Sequence, residues 1–262
     1  MKVFWKYLVF GMIILGFGVF FRANRIQENS VKFLKHNVYV WSESDARKLP
    51  IYCVDTKKKV LSLTFDVAWG NEDMKEILEI LKKEDVVATF FFCGDWIRRF
   101  PEDVKRVSKA GHDIGNHGDR HKYMTKLSDQ EQQEEIRGAD DKVKGLLGMS
   151  MDLFRPPYGD YDSRVIKNAE KMGYYSIQWS IDSLDWQEPQ PEDLIKKVCE
   201  HKKLAPGGII LMHTGTKCTK KALPQIIRKL KKQGYTFVPI SKLIYRKHYR
   251  INPEGKQMLF YQ

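Results

Sequence analysis

The chain has 262 residues, with 45 Lys+Arg against 33 Asp+Glu, and a formal net charge of +12. At 42% hydrophobic and 30% charged residues it is neither a disordered chain nor a multispan membrane protein. The positive charge is spread along the chain, without a zinc-finger spacing, an RNA-recognition signature or a basic zipper, so it predicts a solvated basic surface and no nucleic-acid partner.

Tyr7 to Phe21 is a run of fifteen apolar residues or glycines, extended to nineteen from Val3 if Lys6 is tolerated. That is long enough for one membrane span of roughly 17–25 residues. Lys2 and Lys6 supply a positive leading region, but no good cleavage site follows: Gly16-Phe17-Gly18 lies inside the run, and Phe21-Arg22-Ala23 is bulky at its first position. Residues 1–22 therefore read as a signal anchor in preference to a cleaved signal peptide. Arg22, Arg25, Lys32 and Lys35 outnumber the leading lysines, which by loop counting keeps the main domain inside, yet long domains translocate regardless of flanking charge. The expectation is a single-pass cell-membrane protein, held through residues 3–21, with its domain outside the cytoplasm. Residues 23–58 read as a stalk. Cys53, Cys93, Cys199 and Cys218 show neither C-x-x-C spacing nor a dense framework, so free thiols are expected, with Cys93 in the core.

From Lys59 onward strands and helices alternate. VLSLTF (60–65) predicts a strand, and Met74, Ile77, Leu78 and Leu81 give 72–83 a helical period. VVATFFFCG (86–94) predicts a second strand, a short helix follows Pro101, and HDIGNH (112–117) predicts a third strand. Ser128 and Glu131 form a capping box that opens a helix toward Leu147. A fourth strand over 152–159 stops at prolines, a helix runs from Asp162 to Met172, and Gly173 ends it. YYSIQWSID (174–182) predicts a fifth strand, Pro191 to His201 a helix, and GGIILMH (207–213) a sixth strand. Lys220 to Gln233 predicts a helix whose Pro224 must sit in the first turn or break it; YTFVPI (235–240) predicts a seventh strand, and Ser241 caps a last short helix.

Seven strands alternating with helices predict one α/β domain on a parallel sheet, either a closed barrel or an open doubly wound sheet. In both, ligands gather at the carboxyl ends of the strands. The unusual polar residues fall there: Asp66, His117 and His121, Arg155, Asp182 and Asp185, and His213. Two histidines four apart on a helical turn can reach one metal, although this spacing is commoner on plain surfaces. Arg155 can pair with Asp66 and keep it ionised. Asp182 can fix the tautomer of His213 and raise its pKa, and Trp186 and Leu211 would wall a small group. The set reads as carboxylate base, metal and imidazole acid, a constellation for metal-assisted hydrolysis.

TFDVAWG, NHGDRH, FRPPYG, DSLDW and LMH occur in the order and at the spacing of the polysaccharide deacetylases (carbohydrate esterase family four, the NodB-homology domain), which the chain resembles from about Lys59 to Tyr245. The resemblance implies a distorted (β/α) barrel of about seven parallel strands over 59–245, with 246–262 left as a tail. It implies an N- or O-acetylated glycan as substrate. The TFD-x-x-WG form with one anchor looks most like the sporulation-associated branch acting on peptidoglycan. By this likeness Asp66 is the base, His117 and His121 are metal ligands, and Arg155 holds Asp66. Asp182 tunes His213, the acid. Tyr158 offers a backbone N–H to the oxyanion, and Trp186 and Leu211 line the acetyl pocket. The metal implied is divalent, zinc in the first place.

One departure stands out. The family's first motif is usually T-F-D-D-G, and its second aspartate is the third metal ligand; here that place is Val67. Catalytic zinc normally takes three protein ligands. Asp66 can become the third ligand, Asp119 can swing in, or the chain is a catalytically silent glycan-binding or sporulation-assembly protein on the same fold.

Overall fold

The computed structural model describes residues 47–260. Residues 48–260 group as one compact unit, and the expected anchor at 3–21 lies outside the described residues. Among the described residues no helix is long and apolar enough to cross a membrane.

The strands are β1 (Cys53–Val54), β2 (Val60–Val67), β3 (Thr89–Phe92), β4 (Asp113–Asn116), β5 (Leu153–Phe154), β6 (Tyr175–Ser176), β7 (Ile181–Asp182), β8 (Gly208–His213), β9 (Thr236–Phe237), β10 (Tyr249–Ile251) and β11 (Lys256–Leu259). Around them run α1 (Met74–Lys83), α2 (Gly94–Arg99), α3 (Pro101–Lys109), α4 (Asp129–Leu147), α5 (Ser163–Lys171), α6 (Pro191–Cys199), α7 (Thr219–Lys232) and α8 (Ile240–Leu243). From β8 through β2, β3, β4 and β5 to β6 every pairing is parallel. The sheet then curls back on itself: β7 pairs with β8, and Ile51 bridges to Ile177 beyond β6. The result is the distorted (β/α) barrel.

Alternation along the strands decides what faces the barrel interior. On β2, Leu61, Leu63, Phe65 and Val67 pack outward into the main core under the helices. Ser62, Thr64 and Asp66 take the other face, where the Ser62 and Thr64 hydroxyls donate to Val238 O and Ile210 O. On β8, Ile210 and Met212 join the outer core, whereas Ile209 joins Ile51, Phe91, Leu153 and Ile177 in the smaller inner cluster. Leu211 and His213 continue the inner line to the strand's end.

The capping box at Ser128 and Glu131 forms as the spacing predicts. All four cysteines are free, and Cys93 is buried. Several elements differ from expectation. The strand expected over 174–182 is broken into β6 and β7, because Gln178 to Ser180 leave the ladder to turn toward β8. The strand expected over 152–159 is only β5, since the following Pro156 and Pro157 carry no N–H for a ladder. Pro224 lies inside α7 past its first turn, and the helix continues through it. Ser241 lies within α8; its backbone N–H and hydroxyl donate to Asp113 at 2.8 and 2.7 Å.

Both ends of the unit run further than the sequence suggests. Residues 48–58, expected in a stalk, include β1 and the buried Ile51 and Val54. Residues expected as a tail form the β10–β11 hairpin, and β11 pairs in parallel with β1.

Candidate active site

Asp66 and His213 end neighbouring strands and are register partners. Arg155 Nη1 donates to Asp66 Oδ1 at 2.7 Å and to Thr64 Oγ1 at 2.9 Å, and Nη2 donates to Gln178 O at 3.2 Å. The guanidinium is fully buried and lies 4.1 Å from the Phe91 ring centroid. Burial pushes the Asp66 pKa up, but the charges of Arg155, His117 and His213 outweigh it and hold the carboxyl below its ordinary value. The pairing expected from the sequence is therefore present, and it keeps Asp66 ionised.

His213 departs from expectation in its partner. Its Nδ1 donates to Asp185 Oδ1 at 2.7 Å, not to Asp182. Asp185 Oδ2 accepts the His213 backbone N–H at 2.8 Å and the Thr219 hydroxyl at 2.5 Å. Asp182 spends its Oδ1 on the Leu184 N–H at 2.9 Å, closing the turn that brings Asp185 under the imidazole. Desolvation lowers the His213 pKa, but the Asp185 hydrogen bond and charge, helped by Asp66 and then Asp182, raise it above the ordinary value. Asp182 thus makes no hydrogen bond to the imidazole and acts on His213 through its charge and through the turn it closes.

His117 and His121 are brought together, though not on a helical turn. The loop bends at Gly118 (φ 73°), and His121 is itself left-handed (φ 55°). Buried Glu135 fixes this loop by accepting the Asp119 and Arg120 N–H groups at 3.0 and 2.8 Å. His117 Nδ1 donates to Arg155 O at 2.8 Å, which leaves Nε2 facing His121 Nε2 at 3.3 Å. Burial pushes the pKa of both imidazoles down, that of His121 to about 3.

The ligand set for a metal is incomplete. Asp119 points away, accepting from Lys142 Nζ at 2.5 Å. Val67 is wholly buried in the outer core. Asp66 keeps Oδ1 on Arg155 and holds Oδ2 3.5 Å from His117 Nε2. Among the described residues no group of three or more His, Cys, Asp or Glu side chains is arranged to hold a metal ion. The residues present therefore do not fit the three-ligand site of the family pattern.

Asp66, His117, His121 and His213 open into a cavity of about 520 Å³ whose walls include Leu211, Tyr158 and Trp186, as expected. Trp69, Trp179 and Leu184 also line it and were not singled out from sequence; the aromatic residue in TFDVAWG was the available signal for Trp69. Six non-glycine residues among those described have positive φ, and four of them (His121, Tyr158, Leu184 and Glu188) line this cavity. Each costs about 1–3 kcal/mol and persists only where surrounding structure imposes it, so strain is concentrated at the site.

A curled parallel barrel with a carboxylate–guanidinium pair and a carboxylate-held imidazole at its strand ends has the architecture of a hydrolase. Residues 54–177 match the polysaccharide deacetylase family pattern. PdaA of Bacillus subtilis, a peptidoglycan-N-acetylmuramic acid deacetylase, is 35% identical over 203 residues, covering 76% of this chain and 77% of PdaA. A peptidoglycan-N-acetylglucosamine deacetylase of Bacillus cereus is 35% identical over 74% of this chain and 92% of its own. The chain belongs to the polysaccharide deacetylase family (carbohydrate esterase family 4), whose peptidoglycan deacetylases hydrolyse amide bonds. A pseudoenzyme of the same family from Bacillus anthracis superposes with a TM-score of 0.72 at 36% identity, covering 81% of this chain and 72% of its own. A mutant of that pseudoenzyme with restored enzymatic activity superposes equally well.

Proposed function

We propose that the chain removes the acetyl group from an N-acetylated sugar of peptidoglycan. The carrying observation is the pair of anchored groups on adjacent strand ends: Asp66 held ionised by Arg155, and His213 held by Asp185, across one apolar-walled cavity. Water adds to the acetyl carbonyl carbon and gives its proton to Asp66. The carbon–nitrogen bond breaks, His213 Nε2 protonates the leaving nitrogen, and acetate and a free amine result. Leu211 and Trp186 enclose the acetyl methyl, and the Tyr158 backbone N–H faces the developing oxyanion. A divalent cation, zinc by its preference for imidazole, is proposed as weakly held by His117 and His121. No step is drawn through it, because a third ligand is lacking.

We also read residues 3–21 as a membrane anchor that leaves the domain outside the cytoplasm, where peptidoglycan lies. The TFD-x-x-WG form supports a place in sporulation. The test is acetate release from N-acetylated peptidoglycan and chitin oligomers, with and without chelator, by wild type and His213→Ala. Release lost in the variant supports hydrolysis. Glycan binding without release supports the silent reading that Val67 favours.

A further inference from the structure

Eight large hydrophobic side chains are exposed among the described residues, and four of them (Trp69, Tyr123, Tyr158 and Trp186) stand around this one cavity and its rim. Exposed aromatic surface concentrated in this way marks a binding surface. Two of the four, Trp69 and Tyr123, have no part in the chemistry above.

Trp69 lies with its indole centroid 5.5 Å from the His121 ring and 5.7 Å from the His213 ring, yet is 48% exposed. Its backbone is seated firmly. Arg99 Nη2 donates to both Ala68 O and Trp69 O at 3.3 Å, and Trp96 Nε1 donates to Gly70 O at 3.2 Å. Gly215, left-handed at φ 76°, packs so near this turn that a Cβ there would lie 3.2 Å from Gly70 N. Tyr158 also meets His121, 4.4 Å from it between ring centroids. Tyr123 stacks on Tyr158, with centroids 4.1 Å apart and planes at 12°. An indole and a two-ring stack, each in ring contact with His121, are thus held in place before any ligand arrives, which lowers the ordering cost of binding.

The charge of the lining identifies the occupant. Among the described residues no lysine or arginine lines the cavity, basic as the chain is, whereas Asp66, Asp182 and Glu188 do. Nucleic acid would also stack on aromatic rings, but its phosphates need cations along the groove. A neutral pyranose chain meets neither objection: its C–H faces stack on aromatic rings and its hydroxyls bond to carboxylates.

We propose that Trp69 and the Tyr123–Tyr158 stack form an aromatic clamp for a neutral glycan, seating sugar rings next to the one whose acetamido group enters the cavity. Trp69 and Tyr123 are positioning residues. The proposal rests on the glycan reading above but not on turnover.

The test is binding of N-acetylglucosamine tetramer and monomer to the full chain in the His213→Ala background, followed by titration calorimetry. Trp69→Ala and Tyr123→Ala should each weaken tetramer binding by about tenfold or more, as truncation of an aromatic anchor does. Tyr123→Ala should leave the monomer unchanged, and Tyr123→Phe should retain tetramer affinity. Tetramer affinities within twofold of the parent for both alanine variants would overturn the clamp, as would equal losses for monomer and tetramer. Clamp-dependent binding in this background, with no acetate released by the wild-type chain, would uphold the clamp and remove the hydrolytic reading. Acetate release by wild type, with no effect of either substitution on tetramer binding, would do the reverse. No tetramer binding by the parent would end both glycan readings.

Discussion

Asp66 and His213 sit side by side in register at the carboxyl ends of β2 and β8, each biasing the other's charge state. The imidazolium helps hold the carboxyl of Asp66 below its ordinary pKa, and the carboxylate helps hold His213 above its own. Each is also tied to an outer partner, Asp66 to Arg155 and His213 to Asp185. The site is a four-member charge chain in which every carboxylate has a cation and every cation a carboxylate.

Asp185, not Asp182, should control the acid. Asp185→Asn removes the carboxylate charge behind His213 Nδ1 and leaves one acceptor oxygen for the three donors that Asp185 now satisfies, so it should lower the rate by roughly 10²–10⁴, the worth of one positioned acid or base. Asp182→Asn keeps an acceptor for the Leu184 N–H and should cost much less. Acetate release by the two variants compares them directly; equal losses would mean that the hydrogen bond does not set the acid.

The pH dependence follows from the same groups. His213 must be protonated to serve as acid, so activity should hold through the acid side and fall as pH rises through a pKa above its ordinary 6.5. Asp66, held below its ordinary 3.8, stays ionised throughout that range. Stability follows the same sign. A histidine whose folded pKa is raised contributes stability fully present below its unfolded value and lost as pH rises through the folded one. His213→Ala should remove that slope from urea unfolding measured across pH.

How much of this was legible in the sequence can be argued residue by residue. β-rich runs such as VLSLTF located most of the barrel strands, and with them the strand ends where Asp66 and His213 lie. The ordered motifs placed Asp66, His117, His121, Arg155 and His213 around one mouth. The choice between Asp182 and Asp185 was not legible, because it depends on a left-handed turn at Leu184 (φ 54°) that no side-chain pattern announces. Nor were β1 and the β10–β11 hairpin: each strand is two to four residues long, too short for a period, and β1 finds its partners far away in sequence. Trp69 was passed over for a similar reason, since its proximity to His121 and His213 arises only when three strand ends meet.

Arg155 should be a stability residue as well as a site residue. Arg155→Met leaves the Asp66 carboxylate buried without its cation, and removing one member of a buried pair costs about 3–5 kcal/mol. Arg155→Lys should recover only part, because an ammonium cannot reach Asp66, Thr64 and Gln178 O with the same fork. Urea midpoints at constant slope give the comparison. A methionine variant as stable as wild type would show that the pair contributes nothing net to folding.

The anchor is tested in cells. With residues 3–21 in the membrane and the domain outside, external protease should digest the domain in intact cells, or in intact spore-forming compartments if the sporulation reading holds. Protection until lysis would place the domain in the cytoplasm.

Val67 offers the sharpest test of the metal question. It is buried in the outer core with Phe65 and does not line the cavity. As aspartate it would carry a charge into apolar surroundings unless it turned toward the imidazoles, so Val67→Asp should melt lower than wild type without metal. If the side chain does turn, it joins His117 and His121 as the third ligand. Zinc should then bind at least about tenfold more tightly than to wild type, or more than about 1.4 kcal/mol. Binding to the folded state alone raises stability, so zinc should return part of the lost melting temperature in the variant and change wild type little. Calorimetric titration and melting with and without zinc give two independent readings on the same proteins. Equal zinc affinities, with the variant's melting temperature unmoved by zinc, would show that His117 and His121 are not a metal pair in this chain, and the silent reading of the barrel would gain over the hydrolytic one.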